Sequence, residues 1–173
     1  FGKVVPIRGH VSDIALDSRR GLLYAANYTT SRIEVISLAE QKLLQPIGVE
    51  RQPGAIALSP DGRFLVVTQI QNFQGEYPAG LLGVTVIDLD ANTKSTVALG
   101  VPPLAVAFGA GSKALIVTTK DFRLLDPVSG TLETLLVADL TTKDLPDIFR
   151  KAGLAGLTML AGAALSYVGR NPS

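Results

Sequence analysis

Apolar residues in this chain come in short runs separated by turn-forming clusters. The clearest stretch is Gln52–Ile70, QPGAIALSPDGRFLVVTQI. Ala55–Ser59 is a short apolar run, Pro60-Asp61-Gly62 follows, and Phe64–Ile70 is rich in β-branched residues. Pro fixes φ at the first corner, Asp bonds its own backbone, and Gly takes positive φ without steric cost. Two strand-like runs joined in this way predict a β-hairpin. Both runs are apolar at nearly every position, so both faces are expected to be buried between stacked sheets.

The hairpin recurs. Ile14, Ala15 and Leu16 fall on Ile56, Ala57 and Leu58, with SRRG (18–21) as the turn and LLYAAN (22–27) as the second run. Fifty residues downstream of the central copy, LAVAFG (104–109) and ALIVTT (114–119) repeat the layout. ALSYVGR (164–170) matches ALSPDGR (57–63) at Ala, Leu, Ser, Gly and Arg, a fourth copy that stops where its second strand would begin.

Each of the first three copies is followed by two further strand-like runs. The pattern predicts strands near 11–17, 22–28, 32–38 and 43–49; near 54–59, 63–70, 83–89 and 95–99; and near 103–108, 114–119, 121–126 and 131–138. RIEVISL (32–38) alternates polar and apolar, as a strand with one wet face does. Lys3–Ile7 is expected as the last strand of a preceding unit. Four antiparallel strands at a period of 42 to 50 residues predict an all-β fold, an arc of β-propeller blades. The blades are expected at about 10–51, 52–101 and 102–139, with an insertion at 140–160 and the first strand of another blade at 161–173. A β-sandwich is the alternative all-β reading, but it does not predict near-identical hairpins.

The second strand and its successor carry a family likeness. YAAN (24–27) is followed by IEVISL (33–38), VVTQ (66–69) by VTVIDL (84–89), and IVTT (116–119) by FRLLD (122–126). These, with the SPDGR turn, resemble the YVTN family of β-propeller repeats over residues 10 to 139 and again from 162. Relatives of that type include lactonase-like propellers, surface-layer propellers and subunits resembling quinoprotein amine dehydrogenases. None of their catalytic constellations can be laid on this chain residue by residue. A complete propeller of this kind commonly has about seven blades, so the resemblance implies that roughly half the ring lies elsewhere. It also implies export to the periplasm or the cell exterior.

Composition narrows this picture little. Net charge is +1, which gives no steering toward nucleic acid or anionic membrane. There is no cysteine, so disulfides, thiol catalysis and cysteine-ligated metals are excluded. The chain begins at Phe1 without a signal peptide and ends inside a hairpin, which points to a piece of a longer precursor.

Two insertions break the period. QNFQGEYPAGLL (71–82) lengthens the connection between the second and third strands of the second unit. That connection lies on the face of the blade-to-blade links, and Asn72, Glu76 and Tyr77 are candidate ligand groups there; the plain alternative is a solvent loop. In Leu140–Leu160, the spacing of Ile148, Phe149, Ala152 and Met159 after Asp144 and Pro146 predicts a helix near 144–160. Ala152–Val168 is uncharged, but it is too short and too rich in Gly and Ala for a membrane span. The match of 164–170 to the hairpin makes it a connector and a strand.

The remaining candidates lie at strand ends. His10 precedes the first strand of its unit, where Gln52 and Pro102 hold the equivalent places at the mouth of a central channel. A lone His cannot build a His-rich metal site, and a loop histidine bonded to backbone is the plain reading. Asn27, Gln69 and Thr119 end equivalent second strands, where they could bind a ligand or satisfy loop backbone. Arg8, Glu50 and Arg51 form a polar rim. Asp61 and Asp90 are turn formers, and Asp13, Asp61, Asp88 and Asp90 make no calcium loop. No catalytic residue, metal or cofactor is assigned.

The expected function is a non-enzymatic binding scaffold acting through the loop face, represented by His10, Asn27, Arg51, Gln52, Gln69, Asn72, Glu76 and Tyr77. The alternatives are part of a lactonase-like hydrolase acting on a sugar lactone, or a propeller subunit of a redox complex. Expected partners are the remaining blades or a second copy of the chain, and a protein or carbohydrate ligand. Nucleic acid and a membrane span are not expected.

Overall fold

A computed structural model describes residues 3–69, 82–109 and 111–136. The first sheet contains β1 (Val11–Asp17), β2 (Leu22–Asn27), β3 (Arg32–Ser37), β4 (Lys42–Leu43) and β5 (Ile47–Gly48). The second contains β6 (Pro53–Leu58), β7 (Phe64–Gln69), β8 (Gly83–Asp88) and β9 (Thr93–Ala98). The third contains β10 (Pro103–Phe108), β11 (Ala114–Thr118), β12 (Asp121–Leu125) and β13 (Leu132–Leu136). Each sheet is antiparallel and runs in chain order, so the first strand of each repeat is innermost.

In the first sheet the fourth strand is broken. β4 and β5 both pair with β3, and Leu44–Pro46 separates them. Pro46 has no N–H to give the ladder. Lys3–Ile7, expected as a strand, joins no sheet. The expected helix near 144–160 and the fourth hairpin copy lie outside the described residues.

The sheets stack face to face, with β6 between β1 and β10. Tyr24, Ala26, Ile33 and Val35 of the first sheet pack on Ile56, Leu65, Val67 and Ile87 of the second. Phe64, Val66, Val84 and Val86 of the second pack on Val106, Ala114, Ile116 and Leu125 of the third. β7 is buried at every position, as a strand covered on both faces must be. Burying a side chain of this size contributes roughly 1.5–3 kcal/mol, so these two junctions are the core.

Inner strands are also tied by polar groups. Ser12 lies 2.7 Å from the carbonyl of Gly54 and 2.9 Å from that of Pro53, and its hydroxyl donates across to β6. Asp13 accepts from the backbone N–H of Ile56 at 2.9 Å. Every inner strand carries a bulge near its start, between Val11 and Asp13, Pro53 and Ile56, and Pro103 and Ala105. Leu115, Phe122 and Leu124 cover the far face of the third sheet. They are the equivalents of residues that elsewhere pack on a following sheet.

Candidate functional site

Antiparallel order places two kinds of connection on opposite faces of the arc. The tight turns after β1, β3, β6, β8, β10 and β12 share one face. The links from β2 to β3, from β7 to β8 and from β11 to β12 share the other with the sheet-to-sheet links. This second, loop face carries the sequence candidates.

Its foundation is a polar triad, one residue from the loop end of each sheet. Strand register aligns Asn27, Gln69 and Thr118 on the second strands and Glu34, Thr85 and Arg123 on the third. Thr118 therefore takes the place expected for Thr119. The hairpin turn joins Leu58 to Leu65 in the second sheet but Phe108 to Ala114 in the third, one residue shorter. Thr119 instead donates its backbone N–H to Pro102.

Asn27 is fully buried. Its amide donates to the Arg8 carbonyl at 2.7 Å and to Glu34 Oε1 at 2.9 Å, and its Oδ1 accepts from Thr30 N–H. Arg32 Nε adds a bond to the same Glu34 oxygen at 2.7 Å. The alternation of β3 predicted a wet face for Glu34, but it is buried along with its neighbours. Buried charge is tolerated here because it is paired and hydrogen-bonded.

Gln69, also buried, donates to Thr85 at 2.7 Å. Thr118 donates to Asp121, whose two oxygens receive Arg123 Nε at 2.9 Å and Nη2 at 3.0 Å. Burial opposes the Asp121 charge. The hydrogen bonds from Arg123 and Thr118 outweigh it and hold the carboxyl below its ordinary value. Arg123 Nη1 also reaches the Leu99 carbonyl at 2.7 Å, in the link from the second sheet. Glu34 and Asp121 were missed as site residues. The signal was present: Arg32/Glu34 and Asp121/Arg123 are opposite charges two apart, on one face of a strand.

Above this layer sits the segment Arg8-Gly9-His10. Arg8 is held through its carbonyl by Asn27, and His10 donates its backbone N–H to Thr29 Oγ1 at 3.0 Å. Its ring Nδ1 lies 3.3 Å from the same hydroxyl, and its carbonyl accepts from the Tyr28 N–H at 2.9 Å, so this loop histidine is bonded to both side chain and backbone. Gly9 adopts φ +103°, and a Cβ there would lie 2.7 Å from Asn27 Oδ1. Only glycine fits. Arg51 and Gln52 are half-buried, beside Pro53, which Ser12 touches. Asn72, Glu76 and Tyr77 lie outside the described residues.

The turn face is closed by ion pairs. Asp17 is buried and receives Arg20 Nη1 at 2.8 Å, while Arg20 Nη2 pairs with Asp90 and Nη1 also donates to the Gly62 carbonyl. Burial alone would raise the Asp17 pKa, but the bonds and charge of Arg20 outweigh it and lower it. Burial and the Asp17 charge push the Tyr24 phenol upward. Clefts of about 170 and 230 Å³ lie on this face beside Arg63, Phe64 and Val128. Arg63 pairs with Asp88 at 2.8 Å and stacks 4.7 Å from the Phe64 ring centre. Among the described residues no group of His, Asp and Glu is placed to hold a metal. None of their helices is long and apolar enough to cross a membrane.

Comparisons with known proteins agree with this architecture. No family model matches the chain. A 60-residue stretch is 37% identical to Antigen Lp49 of Leptospira interrogans, covering 35% of this chain and 13% of that protein. A chain of Kuenenia stuttgartiensis hydrazine synthase superposes with a TM-score of 0.59 at 20% identity, over 73% of this chain and 34% of that one. The β-propeller domain of Myceliophteria thermophila Cps50 (Swd1) gives 0.61 at 12% identity, over 82% and 43%. The WD40 repeats of RRP9 give 0.62 at 12% identity, over 78% and 41%. The chain thus spans less than half the length of each of these proteins. At such identities the likeness is one of fold alone, and the fold is a β-propeller arc of four-stranded antiparallel blades.

Proposed function

We propose that this chain is an arc of a closed β-propeller, of the YVTN repeat type, that acts as a binding scaffold through its loop face. The observation that carries this reading is the polar triad. Asn27, Gln69 and Thr118 each spend their polar groups bracing the loop face from beneath. Asn27 thereby fixes Arg8, and with it the neighbouring His10, on a rigid support, which is how binding loops are organised, and Arg51 and Gln52 lie on the same face.

Ring closure is supported by three equivalent inner-strand positions. Ile56 is 5% exposed and Val106 9%, each covered by the preceding blade, whereas Ile14 is 58% exposed. A further blade covering Ile14 and Leu16 would remove the difference. That blade belongs to the same polypeptide or to a second copy.

Cross-linking with mass spectrometry on the full-length protein and its native partners tests the reading. Cross-links clustered on residues 8–10, 28–31, 50–52 and 119–121 are the expected result. Contacts confined to the turn face would overturn it, as would turnover of a sugar lactone that disappears in His10→Ala.

A further inference from the structure

The arginines of the described residues divide sharply. Arg19 donates to the Asp61 carbonyl, Arg20 pairs with Asp17, Arg32 with Glu34, Arg63 with Asp88, and Arg123 with Asp121. Arg8 and Arg51 alone have no side-chain partner among the described residues. Both belong to the loop face, and both flank the junction of the first two blades. Arg8 is pinned through its carbonyl by Asn27 and is followed by Gly9 at positive φ. Arg51 stands two residues before Pro53, whose carbonyl Ser12 holds at 2.9 Å. That bond draws the 8–10 and 51–52 segments alongside each other.

The lysines divide less sharply. Lys42 pairs with Glu40, Lys113 with Glu133, and Lys94 donates to the Gly48 carbonyl. Lys3 and Lys120 make no ion pair or side-chain hydrogen bond among the described residues; Lys120 lies on the loop face of the third blade, where its charge helps to hold the Asp121 carboxylate. Against Arg8, Arg51, Lys120 and the exposed His10, Glu50 is the exposed acid of the same links. Leu104, at the start of the third inner strand, is exposed on the same rim.

We infer that the loop-face rim around the first blade junction docks an acidic polypeptide segment bearing apolar side chains. Guanidinium groups without a side-chain partner among the described residues match carboxylates in charge and geometry. Arginines set among exposed aliphatic side chains are the composition of a protein-binding surface. Leu104 is what favours a polypeptide over an anionic oligosaccharide, which would use the cations and leave this apolar group uncovered.

The inference rests on the loop-face reading above and names the partner class for it. Its test is fluorescence anisotropy with full-length protein and a labelled synthetic peptide of alternating glutamate and leucine. The peptide is expected to bind, to weaken as salt rises, and to lose about tenfold in affinity in R8E/R51E. K42E/K113E, on the turn face, is expected to stay within about twofold, because those lysines lie away from the rim. Thermal melting of R8E/R51E should match the parent, since neither guanidinium is bonded to another described residue and the Arg8 carbonyl held by Asn27 is kept. A peptide that does not bind overturns the inference, as does one indifferent to R8E/R51E or displaced by oligogalacturonate at lower concentration. If the peptide fails but R8E/R51E still removes the native cross-links, the loop-face reading stands and the acidic partner falls.

Discussion

Ile14 and Ile56 occupy the same position in successive inner strands, opposite Ala25 and Val67, yet one is 58% exposed and the other 5%. The difference is the presence of a preceding blade. In the chain by itself, Ile56→Ala should cost about 2–5 kcal/mol and Ile14→Ala less than about 1 kcal/mol. Urea unfolding of both variants measures this. In the full-length protein a closed ring would bring the two costs together, and a persistent gap would mean that the Ile14 face stays open.

Arg20 is the counter-charge of a buried carboxylate. Arg20→Ala leaves Asp17 with backbone bonds and the Tyr24 hydroxyl but no counter-charge, and severs the links to Gly62 and Asp90. A loss of about 1–3 kcal/mol is expected, since a buried charged acceptor loses its main partner. Arg19→Ala, which gives up one exposed bond to the Asp61 carbonyl, should cost far less. Denaturation midpoints of the two variants give the comparison.

The same pair sets an acid limit. Asp17 and Asp121 titrate below their ordinary value in the folded state. Groups with depressed folded pKa values contribute fully above the unfolded value, about 3.9, and lose the contribution as pH falls through the folded value. Stability should therefore be flat from neutrality to about pH 5 with respect to these groups and fall below pH 4. Asp17→Asn should be less stable at neutral pH and show a shallower acid decline, read from melting temperature against pH.

Gly9 tests the rim. Gly9→Ala adds a Cβ 2.7 Å from Asn27 Oδ1 at φ +103°, whereas Gly21→Ala, at φ +65°, meets nothing within 4 Å. The first should cost roughly 1–3 kcal/mol and displace Arg8 and His10, and the second roughly 1 kcal/mol. Hydrogen exchange at the His10 and Thr30 amides should rise in Gly9→Ala and stay unchanged in Gly21→Ala.

Asn27→Ala removes the amide that joins Arg8 to Glu34. A cost of about 1–3 kcal/mol is expected, because the Arg8 carbonyl and a buried carboxylate both lose a donor. Glu34→Gln in the same background should recover part of it by removing the buried charge. A double-mutant cycle on unfolding free energies checks the coupling.

Much of the fold was legible because its determinants are local. The runs around SPDGR, SRRG and GAGSK mark hairpins through turn chemistry and β-branched content, and these marks survive with no knowledge of neighbours. The strand broken at Pro46 was missed although proline was visible, because the flanking Leu43, Leu44 and Ile47 read as one run. Of the site, the positions of Asn27 and Gln69 were legible from the repeat, and their bracing role was among the readings of those positions. Glu34 was not legible, because an acid in an alternating strand reads as wet until a partner from another strand is placed beside it.

By itself the sequence determined the repeat, the antiparallel hairpins and the face on which each link falls. These depend on turn residues and on spacing along one strand, which act over a few residues. The tertiary structure decided which polar groups are spent and which are displayed. Whether Thr118 or Thr119 joins the triad turns on one residue of hairpin length, and whether an arginine is free depends on carboxylates brought near by register and sheet stacking. Those contacts join residues far apart in the chain, and no local pattern encodes them.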